Sequence, residues 1–133
     1  MSAYNEIFVE LWKKTIKRAY IQMLILYTLF IEQNCTGYMI TEQIRARLGD
    51  TFQLSAGTIY PQLKKLENHG LVSSETRVLP TANIRPKDPR KIYDLTPEGY
   101  ETTREVQNQW IELSSIANSY LEEIWNLEQE ASS

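Results

Sequence analysis

With 133 residues, 42% of them hydrophobic and 23% charged, the chain suffices for one compact domain with a modest core and an arm. Its single cysteine, Cys35, excludes an internal disulfide and fits a reducing cytoplasm, the expected location. The net charge of −3 hides a segregation: beyond Pro97 stand eight glutamates against Arg104 alone, a net of −7, which leaves +4 on the first 97 residues.

The first predicted element is a helix from Tyr4 to Gln33. Ile7, Phe8, Leu11, Trp12, Thr15, Ile16 and Ala19 return at helical spacing, and the apolar face then widens over YIQMLILYTLFI at 20–31. One stripe of the first half covers a neighbour; the second half is central core. The apolar stretch is too short to span a bilayer, and the amphipathic start MSAYNEIFVELWKK does not read as a secretory leader, so no membrane segment is expected. A second helix fits Thr41–Leu48 with Thr41 as its cap, closed by Gly49-Asp50.

Residues 54–72, LSAGTIYPQLKKLENHGLV, predict a third helix from Ser55 to His69, capped by Ser55 and stopped by Gly70. Pro61 is the anomaly, since an interior proline costs a helix about 3 kcal/mol. It falls near the face opposite Ile59, Leu63 and Leu66, where water can take over the lost backbone bond. Two strand-like runs follow, 71–79 and 90–95, joined by the proline-rich loop PTANIRPKDP. Thr96-Pro97-Glu98 then opens a last helix, with threonine as cap and proline at the first helical position. Val106, Trp110, Leu113, Ala117, Tyr120, Ile124 and Leu127 step along it by fours and threes, a seam that wants a partner helix along its length.

The order of elements describes a mainly α fold with a small β wing: a winged helix-turn-helix with N- and C-terminal dimerisation helices. Its parts are an N-terminal helix at 1–33, the winged helix-turn-helix at 34–95 and a C-terminal dimerisation helix at 96–133. In such a fold the start of the third helix meets base edges and phosphates. Small residues Ser55, Ala56, Gly57 and Thr58 allow close approach of the backbone, and free N–H groups there attract phosphate. Tyr60 and Gln62 are placed to hydrogen-bond in the groove, and Lys64 and Lys65 add charge. The wing contributes Arg77, Arg85, Lys87, Arg90 and Lys91, a set suited to phosphate contacts or minor-groove insertion. Double-stranded DNA is therefore the expected partner. The blander readings are a solvated amphipathic helix and a solvated basic loop.

The seam from Val106 to Leu127 matches no internal element except the 4–19 stripe around Leu11, so a second copy of the chain is its natural cover. Catalysis and metal binding are not expected. There is one histidine, His69, and no Cys-x-x-Cys, no glycine-rich phosphate loop and no serine–histidine–aspartate set with recognisable context. No cofactor is implied. Cys35 lacks the basic neighbour that would make a thiol reactive.

The run LSAGTIYPQLKKLENHGLV followed by RKIYDLTPEGYE resembles the PadR family of transcriptional repressors, in which a small-Gly-Thr-aliphatic-Tyr-Pro helix precedes a wing ending in Arg-Lys-x-Tyr-x-Leu-Thr. TGYMITEQI at 36–44 is similar to the family's second helix, with Thr36 where many members have histidine. Two further departures are a longer, proline-rich wing linker at 79–89 and Asp94 in place of a basic residue. The resemblance covers about residues 20–125. It implies a cytoplasmic homodimer, built by the first and last helices, that represses from a palindromic operator. It also implies an effector site: Trp110 would line a dimer-interface cavity for an aromatic or phenolic small molecule, with Trp12 and Tyr20 beside it. The rival reading is a winged-helix protein-interaction module without specific DNA binding; a third is a nonspecific architectural DNA protein.

Overall fold

The computed structural model describes residues 2–78 and 89–133. Helix α1 (Ala3–Ile31) begins where the Ser2 hydroxyl accepts from the Asn5 N–H at 3.3 Å, and ends at Glu32, two residues before Asn34 takes a left-handed φ of 58°. The second half is central core as the periodicity predicts, whereas the stripe of the first half covers no neighbour among the described residues. Positions 3–16 are exposed, whereas Ile21, Ile25 and Leu29 are fully buried.

Helix α2 spans Gly37–Leu48, so the expected start at Thr41 is corrected by four residues. Thr36 is the cap, its hydroxyl accepting from the Met39 N–H at 3.1 Å. Thr41 lies inside the helix, buried, and turns its hydroxyl back to the Gly37 carbonyl at 2.7 Å. Cys35–Thr36 also forms a short strand, β1, that no sequence pattern announces. Two residues cannot display an alternation.

Helix α3 (Ala56–Asn68) ends in a Schellman motif. The Leu71 N–H reaches the Leu66 carbonyl and the Gly70 N–H the Glu67 carbonyl, both at 3.0 Å, with Gly70 at φ 75°. Strands β2 (Val72–Val78) and β3 (Pro89–Leu95) fall within a residue of expectation and pair antiparallel, Val72 opposite Leu95 and Arg77 opposite Arg90. Among the described residues the sheet is three-stranded, in the order β1–β3–β2.

Helix α4 (Pro97–Ser132) is fixed to the end of α3 at its own first turn. Thr96 donates its N–H to the Leu71 carbonyl at 3.0 Å and its hydroxyl to the Gly70 carbonyl at 2.6 Å, while that hydroxyl caps the Gly99 N–H at 3.0 Å. Ile40 and Ile44 of α2, Ile59 and Leu63 of α3, and Val72 and Ile92 of the sheet close over α1 to form the core. Two compact units divide at Met1–Thr103 and Arg104–Ser133. The first holds the winged helix-turn-helix with its core; the second is the rest of α4. The fold is a mainly helical winged helix with a small antiparallel sheet.

Candidate nucleic-acid interface

Helix α3 buries Ile59, Leu63 and Leu66, holds Thr58, Gln62 and Glu67 half-buried, and exposes the rest. Ser55, Ala56 and Gly57 are exposed and Thr58 is half-buried. Ser55 occupies the cap position but makes no side-chain cap bond; its hydroxyl lies 3.4 Å from that of Thr58 instead. The helix starts on the Ser55 carbonyl, which accepts from the N–H groups of Thr58 and Ile59. Its outermost donors are thereby left facing outward with small side chains around them, which suits an incoming anion.

Pro61 is exposed, on the side the sequence places it. The carbonyl it deprives of a donor belongs to Gly57, itself exposed, so hydration limits the loss. Lys64 and Lys65 are exposed one turn further along.

Two expected base readers also make contacts within the fold. Gln62 is half-buried and turned toward α1, where its Oε1 accepts from Gln22 Nε2 at 2.8 Å. Tyr60 is 44% exposed, but its ring lies across the first residue of α2: a Cβ on Gly37 would stand 2.5 Å from the ring and the hydroxyl. The tyrosine thus has one packed face and one open one.

On the wing, Arg90 and Lys91 are exposed on β3. Arg77 is committed locally, paired with the Glu75 carboxylate and donating to Asn34 Oδ1 at 3.2 Å. Arg85 and Lys87 lie outside the described residues. Asp94 accepts the Asn34 N–H at 2.6 Å and so fastens the α1–β1 turn to β3. Basic groups that motif reading passes over stand close by. Arg45, in the last turn of α2, donates to the Leu54 carbonyl at 2.9 Å, and Lys17 of α1 donates to the Gln53 carbonyl at 2.9 Å. Neither belongs to a recognisable motif.

Of the residues expected around an effector, Tyr20 is edge-on to Phe52 at 6.0 Å, Trp12 is exposed on α1, and Trp110 is 42% exposed on α4. Along the seam, Leu113, Tyr120, Ile124 and Leu127 are exposed, as are Ala117 and, on α1, Leu11; Val106 is half-buried. The apolar face is wider than the seam, because Ile111, Ile116, Leu121 and Trp125 are exposed as well.

Burial pushes the Cys35 thiol up to about 11, helped by the carboxylates of Glu32 and Asp94. Burial also raises Tyr93, with Glu67 and Tyr60 adding to it. Among the described residues no three histidine, cysteine, aspartate or glutamate side chains are grouped to hold a metal ion, and no helix is long and apolar enough to cross a membrane.

Similarity to known proteins agrees with this geometry. The PadR family transcriptional regulator from Eggerthella lenta DSM 2243 has a TM-score of 0.68 at 28% identity, over 90% of this chain and 96% of its own. The PadR family regulator from Clostridium difficile R20291 has a TM-score of 0.65 at 30% identity, over 77% and 98%. Bacillus subtilis PadR in complex with operator DNA has a TM-score of 0.55 at 28% identity, over 66% of this chain and 46% of its own. Residues 25–105 match the transcriptional regulator PadR-like family, and with more than half its length inside that match the chain belongs to the family.

Proposed function

We propose that the chain is a transcriptional repressor that binds a palindromic operator as a homodimer and is released by an aromatic or phenolic small molecule. Family members are transcriptional regulators and not enzymes. The observation that carries the reading is the start of α3: an uncapped, exposed first turn of small residues followed by Lys64 and Lys65. It is the element that enters the major groove in helix-turn-helix proteins. A relative with the same fold, Bacillus subtilis PadR, has been solved with operator DNA. Ser55–Thr58, the open face of Tyr60, and the two lysines form the reading edge; Arg90 and Lys91 serve the phosphates beside it.

The second copy is supported by the exposed apolar faces on α1 and on α4. Trp110 supports the ligand, since an indole at a subunit seam offers stacking and apolar burial to a planar molecule.

Selection of bound duplexes from a random pool, followed by electrophoretic shifts at several salt concentrations, tests the reading. A palindrome should be enriched, and a dimer neutralising three or four phosphates per subunit should show a log–log salt slope on the order of −6. Binding without enrichment would leave a nonspecific architectural protein; no binding would leave an interaction module. The net charge of −3 favours that last reading, but Asp94, its other support, is occupied by Asn34. For the ligand, tryptophan fluorescence and operator affinity that stay unchanged across a panel of aromatic compounds would refute release.

A further inference from the structure

The turn between α2 and α3 is held from outside. Its carbonyls at Gln53 and Leu54 accept from Lys17 Nζ and from an Arg45 guanidinium N–H, both at 2.9 Å. Just before them Phe52 is clasped by α1: the Tyr20 ring meets it edge-on at 6.0 Å, and the Lys17 ammonium stands 5.8 Å from its centroid. Ser55, which follows Leu54, makes no side-chain cap bond, so the start of α3 lacks the local fastening that such a cap normally supplies. Charged donors on carbonyls are among the stronger hydrogen bonds, and an ammonium over a ring adds a further attraction.

We propose that Lys17 and Phe52 are positioning residues for DNA recognition: they fix the first turn of α3 to α1 and so set how the reading edge meets the groove. Lys17 touches neither base nor phosphate in this role. Because α1 also carries the exposed stripe offered to a second copy, the clasp makes that helix the common support of dimer contact and reading edge. The inference rests on the DNA-binding reading above.

The test uses the full chain with Lys17→Met, Lys17→Arg and Phe52→Leu, the last chosen to keep the turn filled. Affinity is measured for the selected operator and for random duplex across a salt series. Lys17→Met and Phe52→Leu should lower the operator-to-random ratio by about fivefold or more, with random-duplex affinity and salt slope unchanged; Lys17→Arg, which keeps a donor, should restore it. Amide exchange at Thr58 and Ile59 should quicken in the first two variants while Leu63 and Leu66 keep their protection. If Lys17→Met weakens both duplexes alike and makes the slope shallower by about one for each phosphate no longer neutralised, Lys17 binds phosphate and the proposal fails. It fails equally if the ratio and the exchange rates match the unmodified chain. An unmodified chain that selects no sequence removes the functional reading alone, and the exchange measurement still decides whether the clasp holds the turn.

Discussion

A methyl group added at Gly37 and one added at Gly99 would meet different resistance. At Gly37 the obstacle is the tip of Tyr60, 2.5 Å away, on a ring that can swing toward solvent. At Gly99 it is the Leu71 carbonyl oxygen at 2.0 Å, backbone that already accepts the Thr96 N–H. Alanine gains about 1 kcal/mol over glycine in helix propensity, which offsets the first obstacle but not the second. Gly99→Ala should therefore cost about 1–3 kcal/mol in urea unfolding. Gly37→Ala should leave the urea midpoint within about 1 kcal/mol of the unmodified protein and instead alter sequence preference by displacing Tyr60. Equal midpoints for the two variants would mean that the α3–α4 joint yields more than its geometry indicates.

Cys35 is a second case in which surroundings outrank residue type. Raised from 9.0 to about 11, the thiol stays protonated at neutral pH and should resist iodoacetamide until urea opens the fold. The folded state holds this proton more tightly than the unfolded state does. Its contribution to stability is thus complete below pH 9 and is lost as pH rises toward 11. Burial raises Tyr27 and Tyr93 as well, and they act in the same direction. Cys35→Ala should flatten part of the decline in urea midpoint between about pH 8.5 and about pH 10.5, which bracket most of the thiol's window. An unchanged decline would assign it to the tyrosines.

Among elements, those with long apolar periodicity are legible in the sequence and those set by a single neighbour are not. Ile59, Leu63 and Leu66 fix α3, and Gly70 and Thr96 mark the junction with the wing and α4. The start of α2 is misplaced from sequence because threonines occur at both 36 and 41, and only the folded hydrogen bonds, Thr36 accepting from the Met39 N–H and Thr41 donating to the Gly37 carbonyl, reveal which of them caps. The two-residue β1 leaves no pattern to read. The candidate site is half legible for a related reason. Composition marks Lys64 and Lys65, but the side to which Gln62 turns depends on Gln22, forty residues earlier. Gln22→Ala and Gln62→Ala should accordingly be non-additive in a double-mutant cycle on stability, with a coupling of about 1 kcal/mol. Strict additivity would return Gln62 to the reading edge. By contrast, Lys64→Ala with Lys65→Ala should weaken all duplexes alike and reduce the salt slope by about one for each phosphate left without its lysine.

For the molecule as a whole, the decisive quantity is the apolar surface left uncovered. A monomer rarely exposes a contiguous apolar patch beyond a few hundred Å². Yet α4 alone leaves Leu113, Ile116, Tyr120, Leu121, Ile124, Trp125 and Leu127 exposed, with Leu127 at 64%, and α1 adds Tyr4, Ile7, Phe8, Leu11 and Trp12. Eight glutamates crowd this same C-terminal helix against Arg104 alone, while the first 97 residues carry a net +4, so two copies closed along α4 would join through the acidic segment and leave the basic one to the duplex. Charge buried in the seam should break such a dimer without disturbing packing, because Ile124 and Leu127 are exposed in the single chain. Ile124→Glu with Leu127→Glu should therefore sediment as a folded monomer at micromolar concentration, while helix content measured by circular dichroism is largely kept. Operator affinity should fall by well over tenfold, since each subunit would then bind one half-site alone and lose the advantage of linkage. Undiminished operator binding by a monomeric variant would show that one subunit reads the whole site, and the second copy would have no part in recognition.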